Sequence, residues 1–358
     1  MWLMTLLKAI SMQRWLTTTG LALISILFPT AASAHEVYVL SPEEINTAIH
    51  EPSVSFYDIF LANVSDTLIW GAIVGFMIMS VFLISISATL ETKFDGYLVK
   101  LKRYAPFVSR VTVGLAFIMC GYEAALFGPE LPFESLFGVY APVMRVLFAL
   151  LGGMMIFGVY TRIVGLISLV IIGVGVWQHG FYMLTYLNYF AEFLVLILIG
   201  GHKFVAAEEH TLWSGLVGFF NHLSATYGEF AFLFLRVGFG FSLIYASVYA
   251  KILHNQLAIA VVNDFNLVSV FGFNPEFIVF GAAIVEILLG VFFILGIEIR
   301  FNAIVINIFL TLSLLYFGEA VWPHIILIGI PIAFFCYGYD KYSLEGYFFK
   351  RGNREPIF

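Results

Sequence analysis

Apolar residues fill long stretches of the chain, and short turns that contain Gly, Pro and charged residues separate them. A helix needs about 20 mostly apolar residues to cross the hydrocarbon core of a bilayer. The pattern therefore predicts an all-α integral membrane protein with about nine transmembrane helices in the mature chain. The predicted spans lie at 64–88, 107–127, 139–159, 163–180, 184–201, 229–250, 277–297, 301–319 and 322–339.

The composition agrees with this class of protein. Hydrophobic residues make up 61% of the chain and charged residues 11%, whereas a soluble domain is about half apolar and about a quarter charged. The net charge of −6 does not indicate a nucleic-acid partner, because the basic residues are sorted by side of the membrane rather than clustered. The two cysteines, Cys120 and Cys336, lie in different spans without a CxxC motif, which argues against a dithiol redox site.

The chain begins with a segment that has the features of a secretory signal peptide. Basic residues precede an apolar stretch at 21–28, and small residues follow at Ala32 and Ala34. We expect residues 1–34 to be a signal peptide that is cleaved after Ala34; the alternative is a retained first helix. Residues 35–63 then form a short extracytoplasmic segment with one amphipathic helix.

The basic residues predict how the chain is oriented in the membrane. Loops assigned to the outer side, at 128–137, 181–183, 252–276 and 320–321, contain no Lys or Arg. Since Lys and Arg mark cytoplasmic loops, we predict a bacterial inner-membrane protein with its N-terminus outside and its C-terminus in the cytoplasm. The residues assigned to the cytoplasmic side are Lys93, Lys100, Lys102, Arg103, Arg162, Lys203, Arg300, Lys341, Lys350, Arg351 and Arg354.

An internal repeat is visible at the starts of two spans. Arg110 and Gly114 in one, and Arg236 and Gly240 in the other, have the same spacing. Two four-helix units with the same direction through the membrane are therefore predicted, related by an axis along the membrane normal. The predicted organisation is an extra transmembrane helix at 64–88, a cytoplasmic loop at 89–106, the first unit at 107–203, a cytoplasmic amphipathic linker at 204–228, the second unit at 229–341 and a cytoplasmic tail at 342–358.

Ionisable residues within the spans cluster in the outer half of the membrane when the terminal arginines serve as depth markers. Glu286, counted from Arg300, and Lys251, counted from Arg236, both lie about 21–22 Å from the inner interface at a rise of 1.5 Å per residue. Because intramembrane ionisable residues are costly and usually functional, the pattern predicts a polar vestibule that opens outward. The candidate catalytic residues are Glu286, Lys251 and His324, and the candidate cofactor-binding residues are Arg145, Glu123, His179, Glu192, Trp177 and Trp322.

Each candidate also has a purely structural interpretation. Glu123 and Arg145 can form an ion pair between adjacent spans, and Lys251 can extend its amine to the outer headgroups. Glu286 can be a carboxyl that is hydrogen-bonded to Lys251 or His324 and only holds the bundle together. The remaining alternatives are interfacial-belt positions for Trp177 and Trp322 and a helix-start position for His324.

Metal binding is a separate hypothesis. Cleavage after Ala34 would place a free amine next to the His35 imidazole, and two nitrogen ligands suit Cu(II). No pair of histidines has a ligand spacing such as HxxxH, so no metal site is predicted among the other residues.

The second unit carries the pattern R-V-x-x-G-[FL]-x-[FL] at a helix start and an intramembrane Glu followed by G-x-x-x-x-x-G-x-x-x-R, here Glu286, Gly290, Gly296 and Arg300. In these motifs it resembles the DoxX/DoxD family of four-helix membrane proteins. The first unit has Phe148 near the place of Glu286, which implies that one unit has lost the family carboxylate. It keeps Arg110, Gly114, Gly158 and Arg162.

The resemblance implies membrane redox chemistry, since DoxD-type proteins are subunits of a thiosulfate:quinone oxidoreductase and other DoxX-like proteins associate with oxidative-stress enzymes. The sequence has no flavin motif, haem pair or nucleotide loop, so electrons would pass through a bound quinone or a redox partner protein. Glu286, with Lys251 and His324, would then handle protons near the quinone ring. A transporter or ligand-binding membrane protein, and a non-catalytic assembly subunit, are the competing hypotheses.

Overall fold

The computed structural model describes residues 40, 42–65, 67–201, 205–206, 214–318 and 321–349. The predicted signal peptide, His35, Lys203, Glu319 and the tail from residue 350 lie outside these residues.

Every regular element described is helical. The N-terminal helices are α1 (Pro42–His50), α2 (Phe56–Asn63) and α3 (Thr67–Leu101). The helices of the first unit are α4 (Ala105–Glu123), α5 (Phe133–Phe137), α6 (Ala141–Phe157), α7 (Thr161–His179) and α8 (Leu187–Ile199). The linker contains α9 (Ser214–Tyr227), and the second unit contains α10 (Ala231–Val248), α11 (Asn255–Asp264), α12 (Leu267–Phe271), α13 (Pro275–Leu295), α14 (Ile299–Phe317) and α15 (Ile325–Tyr337), followed by α16 (Leu344–Phe349).

Each of the nine predicted spans has a helix at its position. Within the described residues, seven helical stretches are long and apolar enough to cross a membrane. One of these stretches, Thr161–Ile199, contains both α7 and α8, which a 3-10 turn joins. The helix at Trp322–Tyr337 is apolar but shorter than the other stretches. The all-α membrane class is therefore confirmed, with seven spans counted by length and composition.

The last helix of each unit packs along the first long helix of the other unit. Within the units, α4 packs along α6, α7 along α8, α10 along α13 and α14 along α15. Between the units, α8 of the first packs along α10 of the second, and α15 of the second packs along α4 of the first. This reciprocal arrangement is the one expected if a two-fold axis relates two copies of one unit.

Glycine pairs let the first two long helices of each unit approach closely. A Cβ atom on Gly114 would lie 2.7 Å from the backbone oxygen of Gly152, and one on Gly290 would lie 2.7 Å from the backbone oxygen of Gly240. Small residues at such crossings replace side-chain packing by backbone contact, as is common between membrane helices. The two units therefore use the same contact at the α4–α6 and α10–α13 crossings.

Buried arginines mark one end of the bundle, which we call the basic end; the opposite end, with residues 124–140 and 249–274, is the loop end. Arg110 donates to the carbonyl of Gly201 (2.9 Å) and Arg236 to that of Tyr342 (3.2 Å). Each guanidinium also occupies the space that a side chain at Gly158 or Gly296 would need. These glycines have φ of +67° and +68° and end α6 and α13 in the left-handed conformation that favours glycine.

Two segments outside the units attach at the basic end through a second pair of arginines. Glu91 of α3 forms a buried ion pair with Arg300 at the start of α14. Arg162 at the start of α7 donates to Ser224 Oγ of α9 (2.9 Å). Only 6% of the apolar part of α3, at Ile69–Glu91, is buried, so this helix is held mainly by its basic end.

Candidate functional site

The core of the candidate site is a buried ion pair in the second unit. Lys251 Nζ lies 3.1 Å from Glu286 Oε2, and the two side chains are only 9% and 11% exposed. The depth markers placed both residues at the same level, and the structure brings them together. Since a charge in an apolar interior needs a partner, the pair explains how each group is accommodated.

Local sequence positions both members of this pair. Asn274 caps α13 by accepting a hydrogen bond from Phe277 N (2.9 Å), and Pro275 follows at the first helical position, so the register of Glu286 is fixed from the helix start. On the other side, α10 continues into a π-helical turn, Tyr249–Leu253, which carries Lys251. Single π-helical turns inside membrane helices are frequent at functional sites.

A polar clamp covers the loop end beside this pair. Asn255, just after the π-helical turn, accepts from Val54 N (3.0 Å) and donates to Val54 O (2.7 Å). Ser53 Oγ donates to the carbonyl of Leu253 (2.6 Å). Residues 53 and 54, between α1 and α2, are therefore hydrogen-bonded to residues two and four positions beyond Lys251.

The third candidate catalytic residue, His324, is 1% exposed and lies in the 3-10 turn Trp322–His324, which packs against α4 of the first unit. Tyr189 Oη of α8 donates to the carbonyl of Pro323 in this turn (3.2 Å). Trp322 is also buried, at 8% exposed. The turn is thus part of the contact between the two units.

Phe148 occupies the position in the first unit that corresponds to Glu286. It is fully buried, and its ring centroid lies 5.2 Å from that of Phe117 and 4.9 Å from that of Phe133. An aromatic cluster therefore fills the place of the ion pair. Ala125, which has the same spacing from Arg110 as Lys251 has from Arg236, is buried and carries no charge.

The expected ion pair between Glu123 and Arg145 does not form among the described residues. Arg145 instead donates to the carbonyls of Gly121 (3.1 Å) and Tyr122 (2.9 Å) at the end of α4, while Glu123 is exposed. The last carbonyls of a helix have no partner within it, and a guanidinium satisfies them well. Arg145 is therefore a helix-capping residue here, and the ion pair given as its structural interpretation is wrong.

The remaining outer-depth candidates do not converge on one pocket. Trp177 is 89% exposed at the end of α7, and its neighbour Gln178 donates to the carbonyl of Leu136 (2.7 Å). His179 is partly buried, with no hydrogen bond at Nε2 among the described atoms. The structure thus brings Lys251 and Glu286 together and leaves the exposed Trp177 away from them.

Glu192 is the most deeply buried carboxyl of the candidates. It is 0% exposed on α8, and neither carboxyl oxygen has a hydrogen-bond partner among the described atoms. Ser109 of α4 lies beside it, is also 0% exposed, and has a hydroxyl without a partner of hydrogen-bond geometry in the same set.

The sequence analysis did not predict two contacts made by glutamate side chains. Glu130 in the loop after α4 accepts hydrogen bonds from Tyr182 (3.5 Å) and from Tyr186. Glu91, which pairs with Arg300, lies just beyond the predicted span 64–88 and so was not counted as intramembrane. The sequence did contain a signal for Glu91, because this charged residue lies only three positions after the end of the predicted span at residue 88.

The copper hypothesis concerns His35, which lies outside the described residues. No group of three His, Cys, Asp or Glu side chains that could hold a metal occurs within them. Cys120 and Cys336 are free thiols, and both are buried.

A groove of about 360 Å³ lies on the surface formed by α14 and α15. Its lining is almost entirely apolar, apart from Asn307 and Thr311 one turn apart on α14. The amide oxygen of Asn307 is buried and has no hydrogen-bond partner among the described atoms. Such a groove suits an apolar chain with one polar group near Asn307.

The fold and these contacts define a polytopic helical membrane protein with a buried ion pair in its second half. Residues 231–319 match the DoxX family model, which covers about a quarter of the chain and includes both Lys251 and Glu286. The resemblance inferred from the second unit is thereby confirmed. No curated protein and no solved structure matched the chain.

Proposed function

We propose that this protein is a membrane subunit of a quinone-linked redox system in the bacterial inner membrane. The observation that carries the proposal is the buried Lys251–Glu286 pair, which lies within the segment that matches DoxX. DoxD-type proteins are subunits of a thiosulfate:quinone oxidoreductase, and other DoxX-like proteins associate with oxidative-stress enzymes. The N-terminus would lie outside and the basic end in the cytoplasm, since the basic end carries Lys100, Lys102, Arg103, Arg162, Arg300 and Lys341.

The organisation proposed with this function is a tandem repeat with one retained site. The reciprocal helix contacts and the paired Gly114–Gly152 and Gly240–Gly290 crossings support two parallel units, 107–203 and 229–341. The second unit would hold the functional pair, while the aromatic cluster around Phe148 fills the corresponding place in the first.

Reduction of a quinone to a quinol consumes two electrons and two protons, and the electrons would come from a redox partner protein. Glu286 is the proton-carrying group in this proposal, because a carboxyl exchanges protons readily. Lys251 holds the carboxylate in place and offsets its charge when the proton has left. His324 would be the third member of the proton-handling set, and it lies on the turn that packs against α4.

In this proposal the tail of the quinone contacts the apolar groove on α14 and α15. A quinone with an isoprenoid tail reaches its site through the bilayer, so an apolar groove open to lipid is a suitable contact for the tail. Asn307 is seven residues from Arg300, about 10 Å along the helix, which leaves the groove within the hydrocarbon.

The test is to quantify quinone in purified protein. Wild-type protein should carry about one quinone per chain after extraction in mild detergent, and Glu286→Gln should carry clearly less. Gly281→Ala, at an α13 position where a Cβ meets nothing within 4 Å, is the matched control and should keep the wild-type amount. Protein without quinone, or equal loading of Glu286→Gln, would overturn the proposal.

Transport of a small molecule is the second candidate, because two parallel units with reciprocal contacts are a common transporter architecture. A stoichiometric solute other than a quinone in the same extraction would favour it. A protein that carries neither would favour an assembly role.

A further inference from the structure

A ladder of polar side chains descends through the first unit and is independent of the Lys251–Glu286 pair. It begins at Glu130, which is partly exposed at the loop end and accepts hydrogen bonds from Tyr182 and Tyr186. The ring centroids of Tyr186 and Tyr189 are 5.6 Å apart. Tyr189 and Glu192 follow at a spacing of three residues on α8, which places them on one face of the helix and in electrostatic contact.

The ladder ends at a carboxyl in the middle of the membrane. Glu192 lies five residues from Leu187 and seven from Ile199, so it is about 10 Å from the basic end of α8 at the helical rise. Both Glu192 and Ser109 are 0% exposed, and neither has a hydrogen-bond partner of good geometry among the described atoms. Buried polar groups of this kind are rare and call for a ligand, a water or a proton.

Among the described residues, no arginine or histidine of the elements packed against α8 forms a hydrogen bond with Glu192. The guanidinium groups of Arg110, Arg162 and Arg236 donate to partners at the basic end. The other titratable groups of these elements carry no positive charge or lie elsewhere: the thiols Cys120 and Cys336 and the hydroxyl of Tyr337 are neutral donors, His179 ends α7 at the loop end, and His222 of α9 is exposed. An isolated carboxylate in such surroundings is very costly, whereas the neutral acid can donate a hydrogen bond to Ser109.

The fold itself does not require these polar groups. Leu235, directly before Arg236, stands where Ser109 stands before Arg110, and Ile330 has the same spacing from Gly338 as Glu192 has from Gly200. Both Leu235 and Ile330 are fully buried. The second unit thus packs the same positions with apolar side chains, so the carboxyl and hydroxyl of the first unit need another explanation.

We propose that Glu192 and Ser109 form a proton-binding site at mid-membrane depth, which exchanges protons with the loop end along Glu130, Tyr186 and Tyr189. The ligand is a proton, and no redox step is involved. Because only side chains of the first unit take part, the proposal stands whether or not the second unit binds a quinone.

Infrared spectroscopy of the full-length protein in lipid nanodiscs tests the site. At neutral pH the wild type should show the carbonyl stretching band of a protonated carboxylic acid. Glu192→Gln should lose this band and Glu286→Gln should keep it. Ser109→Ala should keep the band at a shifted frequency, since the carboxyl loses its hydrogen bond, and this variant also serves if Glu192→Gln does not fold. A wild-type spectrum without the band, or a band unaffected by both variants, would overturn the proposal.

Transfer to D₂O tests the ladder. The band should shift as the proton exchanges, and Tyr189→Phe should slow the exchange at least about tenfold, because the ring contacts remain while the hydroxyl is lost. Phe190→Tyr, on the neighbouring exposed face of α8, is the control and should exchange at the wild-type rate. Equal exchange rates in wild type, Tyr186→Phe and Tyr189→Phe would overturn the proposed path.

Discussion

At the scale of single residues, the second unit depends on one pair of opposite charges and the first unit on an aromatic cluster in its place. Lys251 and Glu286 lie 3.1 Å apart in a nearly dry site. A buried ion pair contributes little net stability, but removal of one partner leaves the other uncompensated. The energetic consequence therefore depends on which residue is changed and on whether both are changed together.

Lys251→Met should destabilise the protein by about 3–5 kcal/mol, because Glu286 is left buried without its counter-charge. The double variant Lys251→Met/Glu286→Leu should recover most of that loss, since it removes both charges and keeps the volume. Unfolding in detergent, followed by tryptophan fluorescence, measures both effects. A single variant as stable as wild type would show that Glu286 has another partner.

Phe148→Glu should fold poorly, because it introduces a carboxyl between Phe117 and Phe133 with Ala125 where the second unit has a lysine. An unpaired buried charge costs several kcal/mol, so the yield of monodisperse protein should fall sharply. Phe148→Leu is the control and should lose only packing. Wild-type yield and melting of Phe148→Glu would mean that the two units are interchangeable at this position.

At the scale of elements, glycine contacts set the separation between the first two long helices of each unit. Gly290→Ala should destabilise the α10–α13 crossing by about 1–3 kcal/mol, since its Cβ would meet the backbone of Gly240 at 2.7 Å. Gly281→Ala on the same helix has open space around its Cβ and should be neutral or slightly stabilising. The thermal melting temperatures of the two variants test this prediction. An equal change in melting temperature for Gly290→Ala and Gly281→Ala would contradict the close crossing of α10 and α13.

The helices and their contacts can be compared with what the sequence predicted. The position of each predicted span follows from apolar length, whereas α11 and α12 lie in the stretch 252–276 that was predicted only as an outer loop. Depth and charge left two partners open for Glu286, Lys251 and His324, and the structure pairs it with Lys251. Arg145 was misassigned because α4 ends at Glu123, which leaves backbone carbonyls of its last turn as the nearest acceptors. The π-helical turn around Lys251 was not predicted, because the apolar pattern of α10 gives no signal for a change of helix type at residues 249–253.

At the scale of the whole molecule, the buried arginines make the two ends of the bundle chemically different. The proposed orientation places the basic end in the cytoplasm. Tyr140→Cys, 69% exposed at the loop end, should react with a membrane-impermeant maleimide on intact spheroplasts. Tyr347→Cys, 70% exposed beyond α15, should react only after the membrane is permeabilised. The native thiols are both buried, so background labelling should be low. The reverse pattern would contradict the orientation.

The whole molecule combines a DoxX-matched unit that holds an ion pair with a first unit that holds a separate buried carboxyl. The central claim is that the ion pair of the second unit takes part in quinone binding. The most direct measurement is a titration of the protein in lipid nanodiscs with a short-chain quinone, followed by quenching of tryptophan fluorescence. The claim predicts saturable binding by wild type and binding at least about tenfold weaker, about 1.4 kcal/mol, by Glu286→Gln. Identical isotherms for the two proteins, or quenching that never saturates, would contradict it.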